Sequence, residues 1–497
     1  MPFPLLYEIN TRCWLRDLSR DLSAAHGRRV SLGEIPETEL ENWQRLGFTH
    51  IWLMGVWKIG TKPRERALEI DDLRRAYGEA LPDWSPQDIG GSPYAIAEYT
   101  VDPSLGGPAA LAGFRRKLNS AGLKLMLDFV PNHLALDHPW VSQWPELFVQ
   151  MPTAGPGTFA AQTSKGQVNL AFGKDPYSPA WTDTVQLDYR RAETRTAMSE
   201  ELLNVAGQCD AVRCDMAMLL LNDVFGQTWK DSVSKEEPPS AEFWADATQA
   251  VKQRYPGFEF LAEVYWGIEE RLQKLGFDFT YDKELYDRLV ARDGPGVHRH
   301  LSGLSPGRLQ ASAHFLENHD ERRIASLLSL AEHRAAALVI LGLPGMRFLH
   351  EGQLLGYKRR LPVQLSRRAI EVPDPAIVAT YEELLRVVRT SSLAGGRAEL
   401  LAPNIAWDQN PTAQNFVLVQ WGDANPAFDL VVVNLAPHQG QCYAPVKLPP
   451  PDFQNWAITD LLGTARFIRS DEDLRKRGLY LDVGGKACQV LHFEPQR

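Results

Sequence analysis

The chain has 497 residues, more than one hydrophobic core of about 250–300 residues holds, so two or three domains are expected. A hydrophobic share of 44%, a charged share of 23% and a formal net charge of -9 fit a soluble globular protein and argue against nucleic acid or an anionic membrane as the main partner. The first eight residues, M-P-F-P-L-L-Y-E, lack the basic and apolar regions of a signal peptide, and no apolar run reaches the length of about 18 residues that spans a membrane, so a cytoplasmic protein is expected.

Short apolar runs alternate with helical patterns from the start. Residues 5–9 (L-L-Y-E-I) form a candidate first strand, a helix is predicted over 37–46 after Pro36, and 51–54 follow Gly47 as a buried second strand. An amphipathic helix over 109–121 places Leu111, Phe114 and Leu118 on one face and ends at Gly122, ahead of a third strand over 124–130. Residues 134–188 break the rhythm: Pro, Gly, Trp and polar residues dominate, no clean helix shows, and so long a loop reads as an insertion. The alternation resumes with a helix over 191–206, a strand over 211–214, a helix over 240–255, a strand over 258–262, a short helix over 268–275 and a further strand near 277–280. A strand over 313–316, a helix over 323–341 and a last strand over 347–350 complete eight strand–helix units, the pattern of a (β/α)8 TIM barrel. Beyond about residue 397, strand-like runs recur at 415–421, 430–434, 456–459, 478–482 and 488–493, with turn signals such as Pro437-His438-Gln439-Gly440, which predicts an all-β sandwich. The expected organisation is a barrel from 1–133 plus 189–397, an inserted domain over 134–188, and a C-terminal β-sandwich over 398–497. The segment 58–88 is long and charged; it reads either as a solvated surface loop or as a wall of the cleft. The five cysteines, Cys13, Cys209, Cys214, Cys442 and Cys488, are odd in number and form no C-x-x-C, so reduced buried thiols are expected rather than disulfides or a zinc site.

In such a barrel the chemistry sits at the C-terminal ends of the strands. Four polar clusters fall there: Asp128-Phe129-Val130-Pro131-Asn132-His133, Arg213-Cys214-Asp215, Glu263, and Asn318-His319-Asp320. The carboxylates Asp215, Glu263 and Asp320 would converge on one mouth with the clusters' histidines and arginine. Glycoside hydrolysis needs one ionised carboxylate and one protonated one, roughly 5–5.5 Å apart in retaining enzymes. Arg213 and Asp215, two residues apart on a strand, share a face, so the guanidinium would keep the carboxylate ionised. Taken singly, each cluster also has a structural reading, since a strand-end Asp often caps a helix and N-H-D is turn chemistry.

Together the D-x-V-x-N-H, R-x-D, E and N-H-D clusters resemble the four sequence regions of the α-amylase superfamily, glycoside hydrolase family thirteen. Gly91-Ser92-Pro93-Tyr94 with Tyr99-Thr100-Val101-Asp102-Pro103 resembles the family's segment after the second strand, and residues 181–188 (W-T-D-T-V-Q-L-D) resemble its fifth motif. The resemblance implies Asp215 as nucleophile, Glu263 as acid/base and Asp320 as the carboxylate that stabilises the transition state. It also implies substrate contacts from Tyr94, Asp128, His133, Arg213, Asn318, His319 and Tyr265, with Trp266 as a further candidate on the leaving-group side. The implied activity is hydrolysis of α-1,4-glucans or maltooligosaccharides. The alternatives are an α-glucanotransferase with the same residues, and an inactive relative that only binds. The partner is then a small oligosaccharide, with no nucleic acid or membrane, and no cofactor is implied beyond a structural calcium at Asn132. Calcium needs six to eight oxygens, and the insertion offers few carboxylates beyond Asp137, Glu146, Asp175 and Asp183. Two departures stand out. Met218 and Leu219 occupy the places where many amylases carry a Lys-His pair that helps hold glucan on the leaving-group side. Ala95 follows Tyr94 where many members have Asp. The first strand lies so near residue 1 that no preceding carbohydrate-binding domain is expected, unlike the branching and debranching members that carry one.

Overall fold

The computed structural model describes residues 3–26, 29–164, 166–234, 236, 239–422, 425–450 and 453–496. Eight parallel strands close into a barrel: β1 (Leu5–Asn10), β2 (His50–Met54), β3 (Lys124–Phe129), β4 (Ala211–Cys214), β5 (Glu259–Ala262), β6 (Phe279–Tyr281), β7 (Ser312–Phe315) and β8 (Met346–His350), with β8 pairing back to β1. Each strand alternates its side chains across the wall. Leu6, Trp52, Met54, Met126, Ala211, Leu261, Ala313 and Phe348 fill the barrel interior. Their neighbours Leu5, Ile51, Leu53, Leu125, Val212 and Phe260 face the surrounding helices. The strands are buried on both faces, which is why they read as unbroken apolar runs. The helix Glu37–Leu46 stops at Gly47, whose φ of +89° lets its N–H reach back to the Gln44 and Trp43 carbonyls.

Sequence and structure differ in places. The helix expected over 323–341 begins only at Leu330, because Ser329 and Glu332 form a capping box there. The residues ahead of it are tied down differently: Arg323 is buried against Glu317 at 2.7 Å, and the Ile324 N–H donates to the same carboxylate at 2.6 Å. Several helices were not expected, among them Thr11–His26, Lys283–Val290, Gly294–Gly303 and Pro375–Thr390. The segment 58–88 is no open loop; it folds into helices Thr61–Glu69 and Asp71–Ala80. Between β3 and β4, residues 134–188 hold a hairpin of Thr158–Thr163 with Gly166–Ala171 and a short pairing of His133–Ala135 with Thr184–Gln186.

After the barrel, β9 (Arg397–Leu401), β10 (Phe416–Gly422), β11 (Phe428–Asn434), β12 (Asn455–Asp460), β13 (Arg466–Ser470) and β14 (Cys488–Gln496) form an antiparallel sheet ordered β9-β10-β11-β14-β12-β13. A three-stranded sheet of Asn404–Ile405, Gly440–Ala444 and Leu479–Val483 covers one face through Leu418, Leu430, Val432, Cys442 and Leu481. The alternate residues Val417, Val419, Trp421, Val431 and Val433 join the barrel's own outer core. All five cysteines are free thiols, and four of them are buried. No helix among the described residues is long and apolar enough to cross a membrane.

Candidate active site

The C-terminal ends of β3, β4, β5 and β7 carry the four polar clusters to one side of the barrel. Strand register sets their order: Arg213 on β4 lies beside Asp128 on β3 and Leu261 on β5. Beyond the strands the backbone stays knitted, with the Asp215 N–H donating to Phe129 O at 2.8 Å and the Glu263 N–H to Cys214 O at 3.0 Å. Asp215 and Glu263 therefore leave adjacent strands at the same height.

Arg213 is the pivot. Its side chain is fully buried, with Nη1 donating to Asp215 Oδ1 at 2.7 Å and Nη2 to Glu263 Oε2 at 2.6 Å. Asp128 Oδ1 lies 3.7 Å from Nη1. Glu263 is held further by the Met216 N–H at 2.8 Å and the Tyr265 hydroxyl at 2.5 Å. Burial raises the pKa of both Asp215 and Glu263, Arg213 opposes it in each, the charge of Asp320 raises both, and that of Asp215 raises Glu263 further. Asp128 is raised to about 7 by burial, against Arg213 and His319. Asp320 behaves oppositely. The cavity walls would raise its pKa, but His319, 3.1 Å from its Oδ2, and Arg213 hold it below the usual carboxylate range. Burial would lower His319, yet Asp320 on one side and Glu8, 2.5 Å from Nδ1, on the other keep it well above the ordinary histidine value. Tyr94 stacks on the His319 ring at 5.3 Å, and its hydroxyl lies 2.7 Å from Nε2.

Tyr94, His133, Asp215, Glu263, Tyr265 and Asp320 line a single cavity of about 560 Å³. Burial lowers His133 to about 4, so it faces that cavity as a neutral ring. Arg213, Asp128 and His319 stand one layer below and act through the residues above them. Asn318 lies off the wall: it is buried, and its side-chain oxygen accepts the backbone N–H groups of Asp320 and Glu321, both at 2.9 Å. It shapes the turn that presents Asp320. Trp266 stands beside Tyr265 but outside the cavity wall, 42% exposed, with its ring against Tyr177 of the insertion. Met218 and Leu219 are buried in a turn over Ala217–Leu220 and offer the cavity nothing. Ala95 is fully buried among Ala97 and Ala135.

The structure adds residues that the motifs did not single out. Ala67, Asp72 and Leu73 of the two helices after β2, with Ile70 between them, line the cavity, as does Asp175 of the insertion; Trp181 and Asp183 of the fifth-motif segment line it too. Glu8, which orients His319, carried one signal: it is the lone charge in the buried run L-L-Y-E-I.

No family model matches the sequence. The chain is 25% identical over 275 residues to the α-amylase MalA of Haloarcula japonica, covering 54% of this chain and 37% of that protein. It is 21% identical over 298 residues to α-amylase 3 of Dictyoglomus thermophilum, covering 56% of each. The match thus spans about half or less of those relatives' length. Over nearly the whole chain the fold matches a noncanonic maltogenic α-amylase, AmyB, of Thermotoga neapolitana, with a TM-score of 0.67, 18% identity, and coverage of 99% of this chain and 98% of that one. The chain is thus similar in sequence to α-amylases over about half its length and shares their fold over nearly all of it.

A structural calcium at Asn132 does not fit the residues around it. The Asn132 side-chain oxygen accepts from Gln186 Nε2 at 3.0 Å and its nitrogen donates to Gln186 Oε1 at 3.2 Å, an amide pair that occupies the atom a cation would need. Asp175 is engaged as well, accepting the N–H groups of Tyr177 and Ser178. Among the described residues no group of three or more His, Cys, Asp and Glu is placed to hold a metal.

Proposed function

We propose that the protein is a retaining α-glycosidase that hydrolyses α-1,4-glucans or maltooligosaccharides. The observation that carries this reading is Arg213, which grips Asp215 and Glu263 at 2.7 and 2.6 Å while Asp320 opens onto the same cavity. Two buried acids that share one cation favour a singly protonated pair, the state that double displacement requires. In the reaction Asp215 attacks the anomeric carbon as Glu263 delivers its proton to the departing glycosidic oxygen, forming a glycosyl ester on Asp215. Glu263, now ionised, takes a proton from water, which opens that ester. Asp320, kept ionised by His319, stands against the positive charge that builds on the sugar ring. Tyr94 offers its ring to that sugar, and His133 offers a neutral nitrogen. The α-amylases among the relatives and the maltogenic neighbour favour a glucan as substrate. The reading places the catalytic barrel in 1–133 plus 189–397, and the unpaired cysteines accord with a cytoplasmic setting.

The test is purified protein with maltoheptaose, products resolved by chromatography. Shorter maltooligosaccharides are expected, and Asp215→Asn should lose on the order of 10⁴-fold in turnover while keeping its fold. Products longer than the substrate would move the assignment to a glucanotransferase. Unimpaired turnover by Asp215→Asn would remove Asp215 as nucleophile.

A further inference from the structure

A second cavity, of about 230 Å³, lies on the far side of the segment that leads to Tyr94. Arg12, Arg16, Arg29 and Arg64 stand on its wall, faced by one carboxylate, Asp102, and by the hydroxyl-bearing Ser366. The chain as a whole has 62 acidic and 53 basic residues, so four guanidinium groups around so small a space run against its overall balance.

Their charges are poorly matched. Arg12 is half-buried, with its side chain 12% exposed, and its only hydrogen bonds among the described residues are two long ones from Nη2, to Trp57 O at 3.4 Å and Asp102 Oδ2 at 3.5 Å. Arg64 is fixed by carbonyls alone, Ile89 O at 2.7 Å and Pro86 O at 3.0 Å, so no carboxylate offsets its charge. Arg16 lies 3.2 Å from Asp88, but Asp88 also takes Arg367 at 3.0 Å. Arg29 is exposed at the rim and makes no ion pair among the described residues. The planar fork of a guanidinium matches the oxygens of a tetrahedral oxyanion. The cavity is smaller than the roughly 300–1,000 Å³ of drug-sized sites, which suits a compact anion.

We propose that this cavity binds a phosphoryl dianion, supplied as inorganic phosphate or as the phosphate end of a sugar phosphate, held by the half-buried Arg12 and Arg16 with the exposed Arg29 and Arg64 at the rim. The site is independent of the chemistry assigned to the catalytic cavity. It lies next to it, however: the Gly90 N–H donates to Gln364 O at 2.8 Å, and Gln364 lines the catalytic cavity. Arg64 also packs under Gly91, where an added Cβ would come within 3.2 Å of its Cα.

Isothermal titration of the full chain with potassium phosphate and with glucose 6-phosphate, at constant ionic strength set with chloride, tests this. One saturable site per chain is expected, with affinity reduced at least tenfold in both Arg12→Gln and Arg29→Glu and unchanged in Asp320→Asn. Tighter binding of phosphate assigns the free ion, tighter binding of glucose 6-phosphate assigns a sugar phosphate, and equal binding assigns the phosphoryl group alone. Should Arg12→Gln fail to fold, the exposed Arg29 carries the test. No saturable binding of either probe, or wild-type affinity in Arg29→Glu, overturns the proposal.

Discussion

Arg213 donates to Asp215 through one nitrogen and to Glu263 through the other, so one positive charge serves two buried acids. Burial raises both pKa values and the charge of Asp215 raises Glu263 further, so the pair loses its two protons in separate steps that belong to the pair rather than to either acid. The singly protonated form is the active one. Below the lower step both acids are protonated and the nucleophile is lost; above the upper step both are ionised and the proton donor is lost. A bell-shaped pH profile of kcat/KM follows, with its alkaline limb above the ordinary glutamate value of 4.5 because burial pushes Glu263 upward. Glu263→Gln should abolish the alkaline limb along with most of the activity, and an alkaline limb surviving in that variant would assign it to another group. Much of this site was legible, because R-x-D on a strand places both side chains on one face, and a polar residue closing an apolar run marks a strand end in a barrel. Glu8 was harder to read: its partner His319 lies 311 positions away, and only the closure of β1 against β8 brings the two ends together.

Among the elements, turns decide where the chemistry points. Met216 has a φ of +42°, in the left-handed region that a non-glycine residue occupies at a cost, and that conformation directs its N–H to Glu263. No periodicity in the sequence announces such a turn. Helices were legible in proportion to their punctuation. The helix Pro375–Thr390 carried its signal, Asp374 as cap followed by Pro375, whereas Gly294–Gly303 opens on Gly-Pro-Gly and reads as a turn. The helix Leu330–Gly342 shows how a cap sets a boundary that apolar content alone does not. Glu332 accepts the Ser329 N–H at 2.9 Å and is paired with Arg292 at 2.7 Å, which chiefly brings its pKa down to about 2. Its contribution is therefore full above the ordinary value of 4.5 and is lost as the pH falls through about 2. Ser329→Ala is expected to cost about 1 kcal/mol in urea unfolding at pH 7. The cost should shrink at pH 2, where the reciprocal half of the capping box is already weakened; an equal cost at both values would separate the cap from Glu332.

Over the whole molecule, the barrel and the C-terminal sheet share a core. The expected β-sandwich reads from alternation: in β10 and β11 the even positions 418, 430 and 432 meet the small sheet, while the odd positions 417, 419, 421, 431 and 433 meet the barrel. The second interface was not legible, since alternation shows that both faces are apolar but not what covers each. Trp421 is its anchor. The ring is fully buried, its Nε1 donates to Gly342 O at 2.7 Å, Arg347 of β8 lies over it at 5.1 Å, and Phe3 meets its edge at 5.9 Å. Gly342 is needed for that approach, because a Cβ there would come within 2.9 Å of Val431. Arg347 loses most from any separation: it is buried without a carboxylate, burial pushes its pKa down to about 10, and the aromatic face of Trp421 with the Leu393 carbonyl at 2.9 Å compensates it. A barrel stripped of the sheet would expose that cation together with the apolar outer face of the helix Leu330–Gly342. The two parts should therefore melt together, in one calorimetric transition. Trp421→Ala should lower that transition by the equivalent of about 3–5 kcal/mol without splitting it. Two resolved transitions in the wild-type chain would mean that the sheet and the barrel are stable apart, and that the cavity at the other end of the barrel owes nothing to this interface.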